Sequence, residues 1–240
     1  MEIRWIISNE DLGNYADFVE RFRHHSVVQK RISRNIKHDD VKISKASFWQ
    51  TLIGCLVTTR QKAGEGSRVK NFMETDKNLL NINFCLKTPN LVGKSKKILS
   101  WYGLRRSETI AAQIGKNGNW LKEGGWIEVK RELENIASHT TKKKERETAR
   151  FLQRRFDGLG PKQSRNLIQW MGLSKYEIPL DSRMVKVLHN LNFPAPLSAQ
   201  ALADEGYYCF IEDGIQLIMK KIGVYPCVFD ACAFASLERL

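Results

Sequence analysis

Apolar residues along this chain recur at intervals of three and four, and no stretch sustains an alternation of period two. Tyr15, Phe18, Val19 and Phe22 share one helical face that Asn9 or Asp11 is placed to cap, and the tract extends as one or two basic helices to residue 35. Residues 36–45 are polar and read as a loop. From Ser47, the pairs Phe48/Trp49, Leu52/Ile53 and Leu56/Val57 predict a helix buried nearly all round. Residues 67–100 hold a helix, an irregular piece at Pro89 and the basic start of a helix that continues from Trp101 to Ile114. Asn117-Gly118-Asn119 and Gly124-Gly125 punctuate as loops. Trp126, Val129, Leu133 and Ile136 mark an amphipathic helix, and Met184, Val187, Leu188 and Leu191 a core helix. Pro194 and Pro196 break the chain before the last helices, over 198–223 and 228–237. Ile3–Ile7 is the best strand candidate. The pattern as a whole predicts a mostly helical protein.

One stretch carries a sharper signal. A basic helix runs into Asp157-Gly158-Leu159-Gly160-Pro161-Lys162. Glycine tolerates the positive φ of a tight turn, and proline suits the first position of a new helix. Two helices joined by glycine, an apolar residue and glycine expose N–H groups at a helix N-terminus, which favours a phosphate. This is the spacing of a helix-hairpin-helix. Nineteen positions after Lys162, Asp181 follows Ile178-Pro179-Leu180.

Charge points the same way. The 240 residues carry a net charge of +13 and a pI near 9.6, which favours a polyanionic partner, and 42% hydrophobic residues are enough for a folded core. Between Lys142 and Arg155 stand seven Lys or Arg and two Glu, just before the hairpin, so Lys142, Lys143 and Lys144 are expected to face DNA. No apolar run reaches transmembrane length, and the start of the chain is too short and interrupted for a signal peptide, so a cytoplasmic protein is expected, nucleoid-associated in a prokaryote. The five cysteines are odd in number and none pair as C-x-x-C, so they read as small core residues and no metal is expected.

The hairpin, its Lys162 and the Pro-apolar-Asp ending at Asp181 resemble the HhH-GPD superfamily of DNA glycosylases, which includes endonuclease III and the 8-oxoguanine DNA glycosylases. The signature covers about a sixth of the chain. It implies an all-α fold of two lobes: residues 46–190 with the hairpin at about 150–170, and residues 1–45 plus 191–240, with the active cleft between them. Only Cys209, Cys227 and Cys232 lie near the C-terminus, with spacing unlike the iron–sulfur ligands of endonuclease III. The resemblance implies no cofactor beyond, at most, a monovalent cation on hairpin backbone carbonyls. A monomer acting on double-stranded DNA with a modified base is expected.

The resemblance also assigns roles. Lys162 is the amine nucleophile and Asp181 the carboxylate that stabilises the cationic sugar or activates the attack. Gly158 and Gly160 hold the DNA backbone. Gln61, beside Arg60 at the end of the buried helix, looks like the residue that fills the gap left by the extruded base. Asp230 and Phe234, four apart on the last helix, match an acid and an aromatic that read and stack the base. Trp49 is a further pocket candidate. The function implied is excision of a modified base, 8-oxoguanine foremost, with strand nicking as an AP lyase. One alternative keeps the fold and removes hypermodified bases from phage DNA, with loops at 115–125 admitting a bulky adduct. Another, from a different class, is a DNA-binding protein without chemistry.

Overall fold

The computed structural model describes residues 4–237, and every regular element among them is a helix. The chain begins with α1 (Asn9–Phe22) and α2 (Ser26–Arg31), which ends in a π turn (Ile32–Ile36). It continues through α3 (Lys45–Val57), α4 (Arg68–Thr75), α5 (Ile82–Lys87), α6 (Leu91–Trp101), α7 (Ser107–Trp120) and α8 (Trp126–Ser138). Then come α9 (Lys142–Arg155), α10 (Pro161–Trp170), α11 (Ser182–Asn190), α12 (Glu205–Lys221) and α13 (Pro226–Leu237).

Local chemistry sets the ends. Ser8, one residue before the expected caps, closes a reciprocal capping box with Asp11 at the start of α1. Ser44 does the same with Ser47 at the start of α3. Helix α6 does not run on into α7, because Gly103 and Arg106 both take positive φ, at 65° and 58°, and turn the chain between them. Residues 4–8 form no strand; Ile3 lies outside the described residues.

Apolar side chains gather in two bodies. The first is built on α3, with Phe48, Leu52, Ile53 and Leu56 packed against residues from α4 to α10 as far as Leu173. The second joins Tyr15, Val19, Phe22 and Val28 of the N-terminal helices to Ile178, Leu180 and the helices α11–α13. Helix α11 therefore packs with the second body, and the change-over falls between Leu173 and Ile178 rather than at 190. The reason is that Met184, Val187 and Leu188 turn toward the terminal helices.

The loops expected at 115–125 are absent. Helix α7 runs through Gly115, Asn117 and Gly118, and a short π turn (Leu121–Gly125) passes directly into α8. The glycines serve close packing: a Cβ on Gly115 would lie 2.4 Å from Val92 Cγ2, and one on Gly118 3.1 Å from Leu91 Cδ2.

A buried polar seam joins the two bodies. Arg165 of α10 is fully buried and pairs with Glu177 at 3.0 Å, Glu205 at 2.8 Å and Glu212 at 3.4 Å, the last two on α12. Arg146 of α9 bridges Glu177 and Asp213, at 3.0 and 2.8 Å, and Arg150 meets Glu205 at 3.0 Å. The Arg165 guanidinium also lies 4.8 Å above the Tyr208 ring. Buried Glu145 takes the N–H groups of Lys175, Tyr176 and Glu177, holding the crossover segment.

Candidate active site

Helices α9 and α10 meet at the hairpin. Gly158 has φ +90°, and a Cβ there would come within 2.6 Å of Leu56 and Gln113 side-chain atoms, so the turn both needs glycine's backbone and lies hard against α3 and α7. Leu159 is buried beneath the turn. Asn117, a residue the sequence suggested only as a loop marker, clamps the turn through both amide groups: its Oδ1 accepts from Asp157 N–H at 2.8 Å and its Nδ2 donates to the Asp157 carbonyl at 3.0 Å. Gly160 is the N-cap of α10, without a side-chain cap, and Pro161 starts the helix. The N–H groups of Lys162 and Gln163 that follow have no helical acceptor, as an anion site requires.

Lys162 stands in this first turn, partly buried. Its neighbour Gln163 ties α10 to the end of α3, donating to the Cys55 carbonyl at 2.7 Å and to Thr59 Oγ1 at 2.9 Å. Burial holds the Lys162 amine below the ordinary lysine value. Asp181, Cys55 and Asp230 pull it up, Arg183 pushes it down, and the net shift is downward. These couplings bring Lys162, Asp181, Arg183 and Asp230 into one electrostatic neighbourhood.

Asp181 caps α11, accepting from Arg183 N–H at 2.9 Å and Met184 N–H at 3.0 Å. Arg183 also folds back on Oδ2 of the same carboxylate, at 2.9 Å from Nε and 2.6 Å from Nη2. Burial raises the Asp181 pKa, but the Arg183 charge, these hydrogen bonds and Lys162 outweigh it, so the group stays below the usual carboxylate range and is anionic at neutral pH. The Arg183 guanidinium rests 4.5 Å from the Phe234 ring centroid. Asp230 accepts from Arg31 at 2.7 Å. Burial, helped by Asp181, keeps the Asp230 pKa above its ordinary value despite that pair. Arg183 and Arg31 were not expected from the sequence. Arg183 had a signal, a long cation two residues beyond an N-cap; Arg31 had none, being 199 residues from its partner.

Five expected site residues lie away from the hairpin or are engaged within the protein. Trp49 is wholly buried and donates its indole N–H to the Leu79 carbonyl at 2.7 Å, so it is core and lines no base pocket. Lys142, Lys143 and Lys144 begin α9, at the end away from the hairpin; fourteen residues of helix put them about 20 Å from it. Lys142 is held by Asp213 at 2.6 Å, and Arg146 and Arg150 are engaged in the seam, so much of the basic run binds the protein's own carboxylates. Gln61 does not project: its amide donates to the Val57 carbonyl and accepts from Arg105 N–H at 3.0 Å. Arg60 beside it is exposed, with φ +58°. The five cysteines are all buried free thiols, as expected of core residues.

The helical fold that holds these residues is shared with solved structures. The chain superimposes on the 8-oxoguanine DNA glycosylase of Thermotoga maritima with a TM-score of 0.69, at 14% identity, over 95% of this chain and 97% of that one. It has the HhH-GPD glycosylase fold. The same fold relates it to the 8-oxoguanine glycosylase/lyase of Methanocaldococcus jannaschii bound to a 15mer DNA containing 8-oxoguanine, with a TM-score of 0.66 and 16% identity over 94% and 97% of the two chains. The 8-oxoguanine DNA glycosylase of that organism, in a further structure, gives 0.65 at 16% identity, over 96% of each chain. No family model and no curated protein matches the sequence. Within this glycosylase fold, the hairpin and the N-termini of α10 and α11 are what carry Lys162 and Asp181 to one place.

Proposed function

We propose that this protein is a bifunctional DNA glycosylase/AP lyase that removes 8-oxoguanine from double-stranded DNA. The observation that carries the reading is Lys162: a partly buried lysine with a lowered pKa, in the first turn of the hairpin helix, coupled to the anionic Asp181. A protein that only bound DNA would gain nothing from desolvating a cation beside phosphates. The feature that would have favoured bulky phage bases, loops at 115–125, is replaced by helix.

The target nucleotide leaves the stack to reach the cleft. Neutral Lys162 Nζ attacks C1′ as the glycosidic bond breaks, and the base departs with the electron pair. Asp181, held anionic, stabilises the positive charge that builds on the sugar. Loss of the amine proton and opening of the sugar ring give a Schiff base. Removal of a C2′ proton then expels the 3′ phosphate and nicks the strand. Phe234 offers a face for the base once the Arg183 guanidinium moves aside, and Asp230 a polar group near it. The carbonyls of Gly158 and Leu159 accept no hydrogen bond from the described residues and are the groups that would hold a monovalent cation, which would add positive charge for a DNA phosphate.

Borohydride reduction traps only an enzyme joined to its substrate as a Schiff base. The wild-type protein should become covalently linked to an 8-oxoguanine duplex, and Lys162→Gln should not, while its DNA affinity stays within a few-fold. Undiminished trapping in the variant would remove Lys162 from the mechanism.

A further inference from the structure

Helix α6 carries a second surface with nucleic-acid chemistry, on the first body and outside the Lys162 site. Lys94, Lys97, Ile98 and Trp101 fall at helical spacing on one face and line a cleft of about 400 Å³, closed on its other side by Asp76, Asn78 and Tyr102. The Trp101 side chain is 80% exposed, although it sits at the end of a well-packed helix. Its support is rigid. Tyr102 stands perpendicular to the indole at 4.6 Å, is pinned by Thr75 Oγ1 at 2.9 Å, and meets Phe72 edge-on at 5.2 Å.

The charges around it are available. Neighbouring Lys96 is paired with Glu108, and Lys70 with Glu65 and Glu74, but no carboxylate of the described residues pairs with Lys94 or Lys97. Asp76, the one acid in the cleft, turns Oδ2 inward to three N–H groups, those of Asn78, Leu79 and Leu80. The Asn78 side-chain amide makes no hydrogen bond with the described residues, leaving a donor and an acceptor at the cleft wall. An open indole, two lysines about one helical turn apart and a free amide match a base, its backbone phosphates and its polar edge.

We propose that this cleft binds single-stranded DNA, stacking one unpaired base on Trp101 with the flanking phosphates on Lys94 and Lys97. The interior of a duplex does not fit these contacts, because both faces of each interior base are covered by its neighbours in the stack. The position is apt. The chain leaves Trp101 through Gly103 to Arg105, whose N–H holds Gln61, so the cleft adjoins the loop at the end of α3. The inference rests only on the DNA-binding part of the proposed function, not on its chemistry.

The test is anisotropy of a fluorescein-labelled oligothymidylate, which cannot pair, alongside a blunt undamaged duplex. Trp101→Ala should weaken oligothymidylate binding roughly 5- to 150-fold, the worth of one stacked base, and leave duplex affinity and melting temperature unchanged. Trp101→Phe should restore part of the loss. The double variant Lys94→Gln/Lys97→Gln should reduce the steepness of the salt dependence by about 1.4, two phosphates at roughly 0.7 each on a single strand. Unchanged oligothymidylate binding by the Trp101→Ala protein would overturn the inference, as would an equal loss on the blunt duplex. Wild-type protein that binds the single strand through Trp101 but is never trapped on a lesion duplex would uphold the cleft and overturn the Schiff-base chemistry of the proposed function.

Discussion

Replacing Asp181 by Asn isolates charge from shape. The amide oxygen can still accept from Arg183 N–H and Met184 N–H, so the α11 cap survives in outline. What goes is the negative charge and the ion pair to Arg183. That arginine is nearly half exposed, so solvent screens the pair and its loss should cost about 1 kcal/mol of stability or less. Catalysis should suffer far more. Removing one preorganised group aimed at developing charge typically costs roughly 100- to 1,000-fold, or about 3–4 kcal/mol of barrier. The Lys162 amine also loses the largest of the influences that raise its pKa, so it becomes more readily neutral, not less. A fall in rate therefore cannot come from a better-protonated nucleophile. The assay is single-turnover excision from an 8-oxoguanine duplex, with a thermal melt and a binding isotherm on the same sample. Loss of excision with melting and affinity retained is the expected result. Excision at the wild-type rate would reduce Asp181 to a cap and refute the reasoning.

Trapping should accelerate with pH, because the neutral amine reacts; the rise should level off below the ordinary lysine value of 10.5, since burial lowers the Lys162 pKa, and a plateau only above that value would contradict the desolvated site. The same shift makes protonated Lys162 unfavourable in the folded state at neutral pH, so Lys162→Gln should melt no lower than wild type. In the seam, Arg165→Met leaves Glu177 and Glu212 buried without their shared cation and should cost about 3–5 kcal/mol in urea unfolding at neutral pH. The deficit should shrink as the pH falls, because burial and Glu177 already push Glu212 well above the ordinary carboxylate range and protonation relieves the pair. A deficit that grows with acid would contradict the paired arrangement.

What could be read from the sequence was local. The hairpin, its lysine and the capping aspartate are short-range patterns, and each turn residue states its backbone need within a few positions. The failures came where the third dimension decides. Trp49 looks the same in sequence whether it faces a pocket or the core; only the Leu79 carbonyl beneath its indole distinguishes them. Gly118, between Asn117 and Asn119, spells a loop, yet it lets Leu91 approach a continuous helix. Lys142, Lys143 and Lys144 are close to the hairpin in number, but an intervening helix carries them to its far end. Arg146, Arg150 and Arg165 added to a basic charge count while their partners, Glu177, Glu205, Glu212 and Asp213, lay far along the chain.

The seam has a consequence for motion between the two bodies. Arg165 sits one turn beyond Lys162 on α10, and its carboxylates belong to the crossover and to α12. Asn35, beside α2, donates to the Gln169 and Ser174 carbonyls at 2.9 Å each, fastening the other end of the same helix. The helix that bears Lys162 is thus tied at both ends to the second body, which resists a jaw-like swing of the two halves. A rigid tool must make the workpiece yield. On the proposed function, the bending and unpairing fall to the DNA, and a site would be favoured as much for its pliability as for the identity of its base.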